Sequence, residues 1–479
     1  MSLRMGFTLS SILILLLALT GCVGGSGTGG AGPINGPFSN SSLNGTYAFS
    51  FSGVNQFGFL AVAGTLQANG AGSITGGTAD INSRNGIFTN QPVSGSFNVH
   101  NNGQGTATVT TPNGTFDLSF VIVSGQHGLI IRIDGNSTAS GSFDLQSSSV
   151  TLSTLAGSLV FNLSGIDSAL NAQGEAGVFT IDASGNMTAG VQDTNDNGTI
   201  STNVAITPVA AAMSTPTNGR GTISITGLST QHFVYYIVDN NHLNLIETDL
   251  STALAGPAFR QGSALLSGSF AFTVGGVSTA GPFAAGGIIN TDGAGNVLNT
   301  STEDVNNAGS ITQNATLTGT YSVSGNGRGT MSLNAGTINL AIYPSSNGVQ
   351  VLEIDANTVA TGTAFQQSGP FSNSTFNGNY GMNFTGVTSA NNEVDSAGQF
   401  AADGAGHMTG AADFNNGGSV STNLSLSGTS TVTASGRATG TLKSSLATQN
   451  IVFYVVNSNR VLFVDLDANL VAVGDIEHQ

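Results

Sequence analysis

The sequence predicts an all-β protein of four tandem units, each an up-and-down β-barrel of about eight antiparallel strands, with a two-sheet β-sandwich as the alternative closure. Three observations carry that prediction. Glycine supplies 68 of 479 residues and charged residues only 7%, so the polar surface comes from Ser, Thr, Asn and Gly, which suit pleated strands and tight turns. Apolar residues alternate with period two, broken by Gly and Asn, with no helical spacing. The same markers also return at an interval near 110 residues, the signature of a repeat architecture.

Each unit opens on a common phrase: Leu43-Asn-Gly45-Thr-Tyr47, Leu155-Ala-Gly157-Ser-Leu159, Leu266-Ser-Gly268-Ser-Phe270 and Phe376-Asn-Gly378-Asn-Tyr380. A turn marker follows at Asn69–Gly72, Asp182–Gly185, Asp292–Gly295 and Asp403–Gly406. A third marker begins at Gly103, Gly219, Gly327 and Gly436, and each unit ends on a glutamine, Gln146, Gln261, Gln367 or Gln479. The expected boundaries are therefore 41–146, 147–261, 262–367 and 368–479, with almost no linker. In the first unit strands are expected at about 45–53, 58–68, 73–82, 92–99, 105–111, 115–124, 128–134 and 139–145. Closing such a meander into a barrel removes both sheet edges, which tandem copies would otherwise pair with one another.

Charge excludes one class of partner. Nine basic residues stand against 25 acidic ones, for a net −16. Nucleic-acid binding needs clustered Lys and Arg to neutralise phosphates, and no such cluster exists. Anionic lipid headgroups would repel the chain as well.

The amino terminus reads as an export signal over residues 1–21, with Arg4 before an apolar stretch from Phe7 to Leu19. That stretch is shorter than the ~20 residues needed to span a bilayer. Leu19-Thr20-Gly21-Cys22 resembles the bacterial lipobox, and Cys22 is the only cysteine in the chain. The resemblance to bacterial lipoproteins implies cleavage before Cys22, a lipid thioether on its sulfur, and attachment to the cell envelope. The expected address is the outer membrane or cell surface. Residues 22–40, rich in Gly, form an expected tether that reaches on the order of 25 Å.

Two recurrent acidic patterns are candidate sites. Asp193-Thr-Asn195-Asp-Asn197-Gly198 fits the first half of a calcium loop, but Val204 stands where the bidentate carboxylate belongs. Asp80-Ile-Asn82, Asp304-Val-Asn306 and Asp413-Phe-Asn415 repeat the pattern, and a recurrent hairpin turn accounts for all four copies without a metal. The seventh strand ends in Glu247-Thr-Asp249, Glu353-Ile-Asp355 and Asp465-Leu-Asp467, with Arg132-Ile-Asp134 in the first unit. Residues two apart share a strand face, so these pairs are read as an ion-pair or ligand-binding cluster, with Arg220, Arg328 and Arg437 as expected partners. No nucleophile elbow, zinc spacing or cofactor motif occurs. The expected function is therefore that of a non-enzymatic surface, structural or interaction protein. Binding of a small ligand or glycan in the barrels is the alternative, and a hydrolase with an unrecognised site comes third. Expected partners are the membrane, through the lipid on Cys22, and a cell-surface polymer, protein or small ligand.

Overall fold

The computed structural model describes residues 38–250 and 252–479. Cys22 and the signal lie outside the described residues. In the first unit the strands run Asn44–Asn55, Gly58–Asn69, Ser73–Ser83, Gly86–Pro92, Ser94–Val99, Gln104–Thr111, Gly114–Ser124, His127–Arg132 and Ser137–Leu145. The strand Gly86–Pro92 was expected as loop. Its burial does not alternate cleanly, and Asn90 takes a positive φ of 55°, so the usual period-two signal is lost.

Each unit is an antiparallel meander closed by pairing its first strand with its last. In the third and fourth units the eight-stranded ring is complete. The first unit closes as well, through pairing of its second and third strands. The second leaves a seam between Thr199–Ala205 and Arg220–Thr226. The intervening chain fills that seam, with Ile206 and Met213 in the core and backbone bonds from Ile206 to Gly190 and from Met213 to Gly185. One-turn helical pieces, such as Leu152–Leu155 and Asn40–Ser42, precede the opening strands of some units.

Inward residues build four separate cores. Tyr47, Phe49 and Phe51 fill the first barrel, for example, and Tyr380, Met382 and Phe384 the fourth. Some outward residues are buried too. Val160, Ala176 and Val178 of the second barrel pack on Ala341, Tyr343 and Leu352 of the third. Ala271, Ala284 and Ile288 of the third pack on Val452, Tyr454 and Val464 of the fourth. Runs such as Val452–Val456 are therefore apolar on both faces, because one face fills a barrel and the other meets a neighbour.

The packing is cyclic. The opening strands of each barrel lie on the closing strands of the next, and those of barrel 4 lie on the closing strands of barrel 1. Four heterologous contacts thus close into a ring. The terminal glutamines stitch it: Gln146 Nε2 donates to Ile237 O at 2.7 Å, Gln367 Nε2 to Val455 O at 2.7 Å, and Gln479 Nε2 to Ile122 O of the first barrel at 2.8 Å. The glycine marker makes room for that glutamine. A Cβ at Gly219 or Gly327 would sit 1.9 Å from the incoming Gln Nε2, and both residues have φ near +80° to +90°, where only glycine rests without strain.

Candidate functional site in the third barrel

The Asp-x-Asn motif is neither a hairpin turn nor a calcium loop. Asp193 and Asn195 lie within the strand Met187–Asp196 and are fully buried, facing the next barrel; only Asn197 and Gly198 form the turn. Arg328 of barrel 3 donates to Asp193 through Nε at 2.7 Å and Nη2 at 2.7 Å, and Tyr343 donates its hydroxyl to the same carboxylate. Arg220 and Tyr236 hold Asp80 in the same way, and Arg437 and Tyr454 hold Asp304. Burial and the neighbouring carboxylate push all three tyrosines well above their ordinary pKa, so each remains a neutral donor. The arginines therefore pair with the preceding barrel's Asp-x-Asn, not with the acids of their own seventh strand. A carboxylate held by a forked guanidinium offers no cation site, and among the described residues no group of three or more His, Cys, Asp or Glu is placed to hold a metal.

The asparagine completes the clasp. Asn195 Nδ2 donates to the carbonyls of Glu353 at 2.8 Å and Thr358 at 2.7 Å. Asn306 does the same at Asp465 and Leu470, Asn82 at Glu247, and Asn415 at Arg132 and Ser137. The joint between barrels 4 and 1 keeps the asparagine but not the arginine. Its positions matching Arg220 and Tyr236 are Gln104 and Val121, and among the described residues of the partner barrel Ser119 Oγ reaches Asp413, at 2.5 Å.

The acids at the end of the seventh strand are separated by that strand's ending. Asp249, Asp355 and Asp467 lie just beyond it and accept from the backbone N–H of His232, Asn339 and Asn450. They are turn-holding groups. Glu247, Glu353 and Asp465 are the last residues of their strands and face the barrel interior. Their surroundings differ. Glu247 accepts from Thr252 Oγ1 and from Leu254 N–H at 3.0 Å. Asp465 accepts from Gln449 Nε2 at 2.9 Å and Asp467 N–H at 2.8 Å. Glu353, only 9% exposed, aims its carboxyl into a cavity and meets no donor among the described residues.

That cavity occupies the interior of barrel 3 and measures about 260 Å³. Phe270, Phe272, Ile289, Ile342 and Val351 line its body, and Glu303, Glu353, Thr337 and Thr358 its polar end. Thr337 is exposed and Glu303, Ile338 and Phe283 are half-buried, so the space reaches the surface there. Strand register explains why this barrel is hollow. Phe270 pairs with Ile289 where Tyr380 pairs with Phe400, and Ile342 with Val351 where Phe453 pairs with Phe463. Three of the four rings, Phe400, Phe453 and Phe463, have become Ile289, Ile342 and Val351, and the missing ring volume is the cavity. Burial raises Glu303 to about 7; burial, then Asp355 and Glu303, raises Glu353 to about 8.

Glu303 escapes sequence reasoning because it sits directly before the Asp-x-Asn motif. The readable signal is that its counterparts are Ala79, Gln192 and Ala412, so a charge enters an inward position that is otherwise small or neutral. In barrel 2 the same end is plugged: Glu175 accepts from Gln173 at 2.8 Å and Gln231 at 3.1 Å.

A second space, of about 790 Å³, lies between barrels 1, 3 and 4 and is bordered by His127, Arg460 and Glu477. His127 donates toward Asp144 at 2.7 Å and lies 3.5 Å from Glu477, and Arg460 reaches Glu477 at 3.1 Å. Burial works against the charge on His127, but Glu477 and Asp144 outweigh it and hold its pKa well above the ordinary value. These groups form an ion-paired cluster across the closing joint, in which His127 Nε2 and one Asp144 oxygen meet no hydrogen-bond partner among the described residues.

No protein-family model and no curated protein matches the chain. Among solved structures it is similar to CghA, with 10% identity over 97% of this chain and 98% of that chain and a TM-score of 0.17. It is also similar to CghA with Sch210972, at 9% identity over 97% and 99% of the two chains and a TM-score of 0.16. A likeness that faint carries no argument about fold or function.

Proposed function

We propose that this chain is a lipid-anchored, extracytoplasmic binding protein in which barrel 3 takes up one small, largely apolar ligand while barrels 1, 2 and 4 form the frame. The lined cavity of barrel 3 carries the reading, against barrel 4, which places Tyr380, Phe400, Phe453 and Phe463 at the matching positions, and barrel 2, where Gln173 and Gln231 donate to Glu175 at the same end. Ligand pockets have this make-up, an apolar wall with a few convergent polar groups. An apolar cavity of ~150 Å³ holds benzene, so the larger space suits a body of about ten non-hydrogen atoms. The lipobox-like Cys22 supports attachment through lipid; the net charge of −16 gives no electrostatic route to an anionic surface. No helix among the described residues is long and apolar enough to cross a membrane.

The test is equilibrium titration of the soluble chain, residues 23–479, with 4-phenyl-1-butanol, followed by calorimetry. One site per chain is expected, lost when Val351→Phe places a ring in the cavity. Absence of binding would overturn the reading. The anchor is tested separately: Cys22→Ala should move the protein out of the membrane fraction, and unchanged membrane association would contradict the anchor.

A further inference from the structure

We propose that the ligand of barrel 3 is a primary amine on a compact apolar body, its ammonium seated between the carboxyls of Glu303 and Glu353. The inference rests on the binding reading above and goes beyond it by naming the head group. Its basis is a contrast among sister positions. The interior acid at the end of the seventh strand has protein donors in barrel 2 (Glu247) and barrel 4 (Asp465), and none among the described residues in barrel 3. Barrel 3 also adds a second carboxyl, Glu303, at the same end of the cavity. Two carboxyls that meet no donor among the described residues, one of them nine-tenths buried, leave acceptor capacity for the donors of a ligand.

The chemistry of the end selects the occupant. An anionic head group would meet two carboxyls and no cation, since the nearby Arg328 and Arg437 are committed to Asp193 and Asp304. A bare metal ion would find only two carboxyls, and among the described residues no group of three or more His, Cys, Asp or Glu side chains is placed to hold one. An ammonium brings three N–H donors and one compact charge, which matches two carboxylates at the end of an apolar tube. The other charged groups at this end are engaged: Asp355 accepts from Asn339, and Asp304 from Arg437 and Tyr454. The clasp holds the site in place, because Asn195 of barrel 2 grips the Glu353 carbonyl at 2.8 Å.

The experiment compares 4-phenylbutylamine, 4-phenyl-1-butanol and 4-phenylbutyrate on the soluble chain by calorimetry. Near pH 8.5 the amine should bind at least about tenfold more tightly than the alcohol, as expected for a charge-assisted hydrogen bond, and the acid should bind most weakly. The advantage should shrink near pH 6, where Glu303 and Glu353 hold protons. In Glu353→Gln, and independently in Glu303→Ala, which copies barrels 1 and 4, the amine-to-alcohol ratio should fall toward one. If the alcohol binds as tightly as the amine, the amine assignment is overturned and the binding reading stands. If none of the three binds, both fall. Preference for the acid overturns the amine assignment.

Discussion

Barrel 4 fills its interior with Tyr380, Phe384, Phe400, Phe414, Phe453 and Phe463, whereas barrel 3 places Phe270, Val274, Ile289, Val305, Ile342 and Val351 at the matching positions. The outward faces of the two barrels differ far less. Both carry the Asp-x-Asn clasp, the terminal glutamine and the glycine that receives it. A strand alternates its side chains between two faces, so the outer set can be tied to the ring while the inner set drifts. The difference teaches that the repeats are interchangeable as building blocks and distinct as containers.

The largest effect should come from breaking the frame that barrels 3 and 4 share. Asp304→Ala strands Arg437 and Tyr454 in a buried joint and should cost about 3–5 kcal/mol, read as a fall in the denaturant midpoint. Asp413→Ala, at the joint without arginine, should cost about 1–3 kcal/mol; equal losses at the two joints would mean that the arginine adds nothing. Hollowing barrel 4 comes next. Phe463→Val, which copies Val351, should cost about 2–4 kcal/mol through lost burial and an unfilled void. The reverse change, Val351→Phe, should shift stability by less than about 1.5 kcal/mol while abolishing uptake of 4-phenyl-1-butanol. A large loss in that variant would show that barrel 3 has no spare volume.

A pH response at Glu353 completes the comparison. Glu353 is raised to about 8 by burial, Asp355 and Glu303, above its unfolded value near 4.5. A raised folded value means that the folded state binds the extra proton, so this contribution is complete below about pH 4.5 and is lost as pH rises through about 8. Glu353→Gln should therefore raise the melting temperature at pH 8.5 and change little at pH 5. A shift of equal size at both values would contradict a buried, donor-free carboxyl.

Much of the fold was legible because repeat spacing and period-two alternation are local signals. The first strand of barrel 1 was expected at about 45–53 and runs Asn44–Asn55. The clasp was not legible, since Asp193 meets Arg328 and Tyr343 across 135 and 150 residues and only the packing of one barrel on the next brings them together. The site was half legible. Glu353 stood out by its acidic pairing, but Asp355 was grouped with it although the strand ends between them. The cavity itself depends on inward volume summed over eight strands, which becomes visible only when register aligns Phe463 with Val351.

The most direct test is a crystal structure of the soluble chain grown with 4-phenyl-1-butanol. The account predicts ordered density for one ligand inside barrel 3, beside Phe272, Ile342 and Val351 with its hydroxyl toward Glu353, and none inside barrel 4. A barrel 3 collapsed onto its own side chains, or the ligand seated only in the space between barrels 1, 3 and 4, would contradict it.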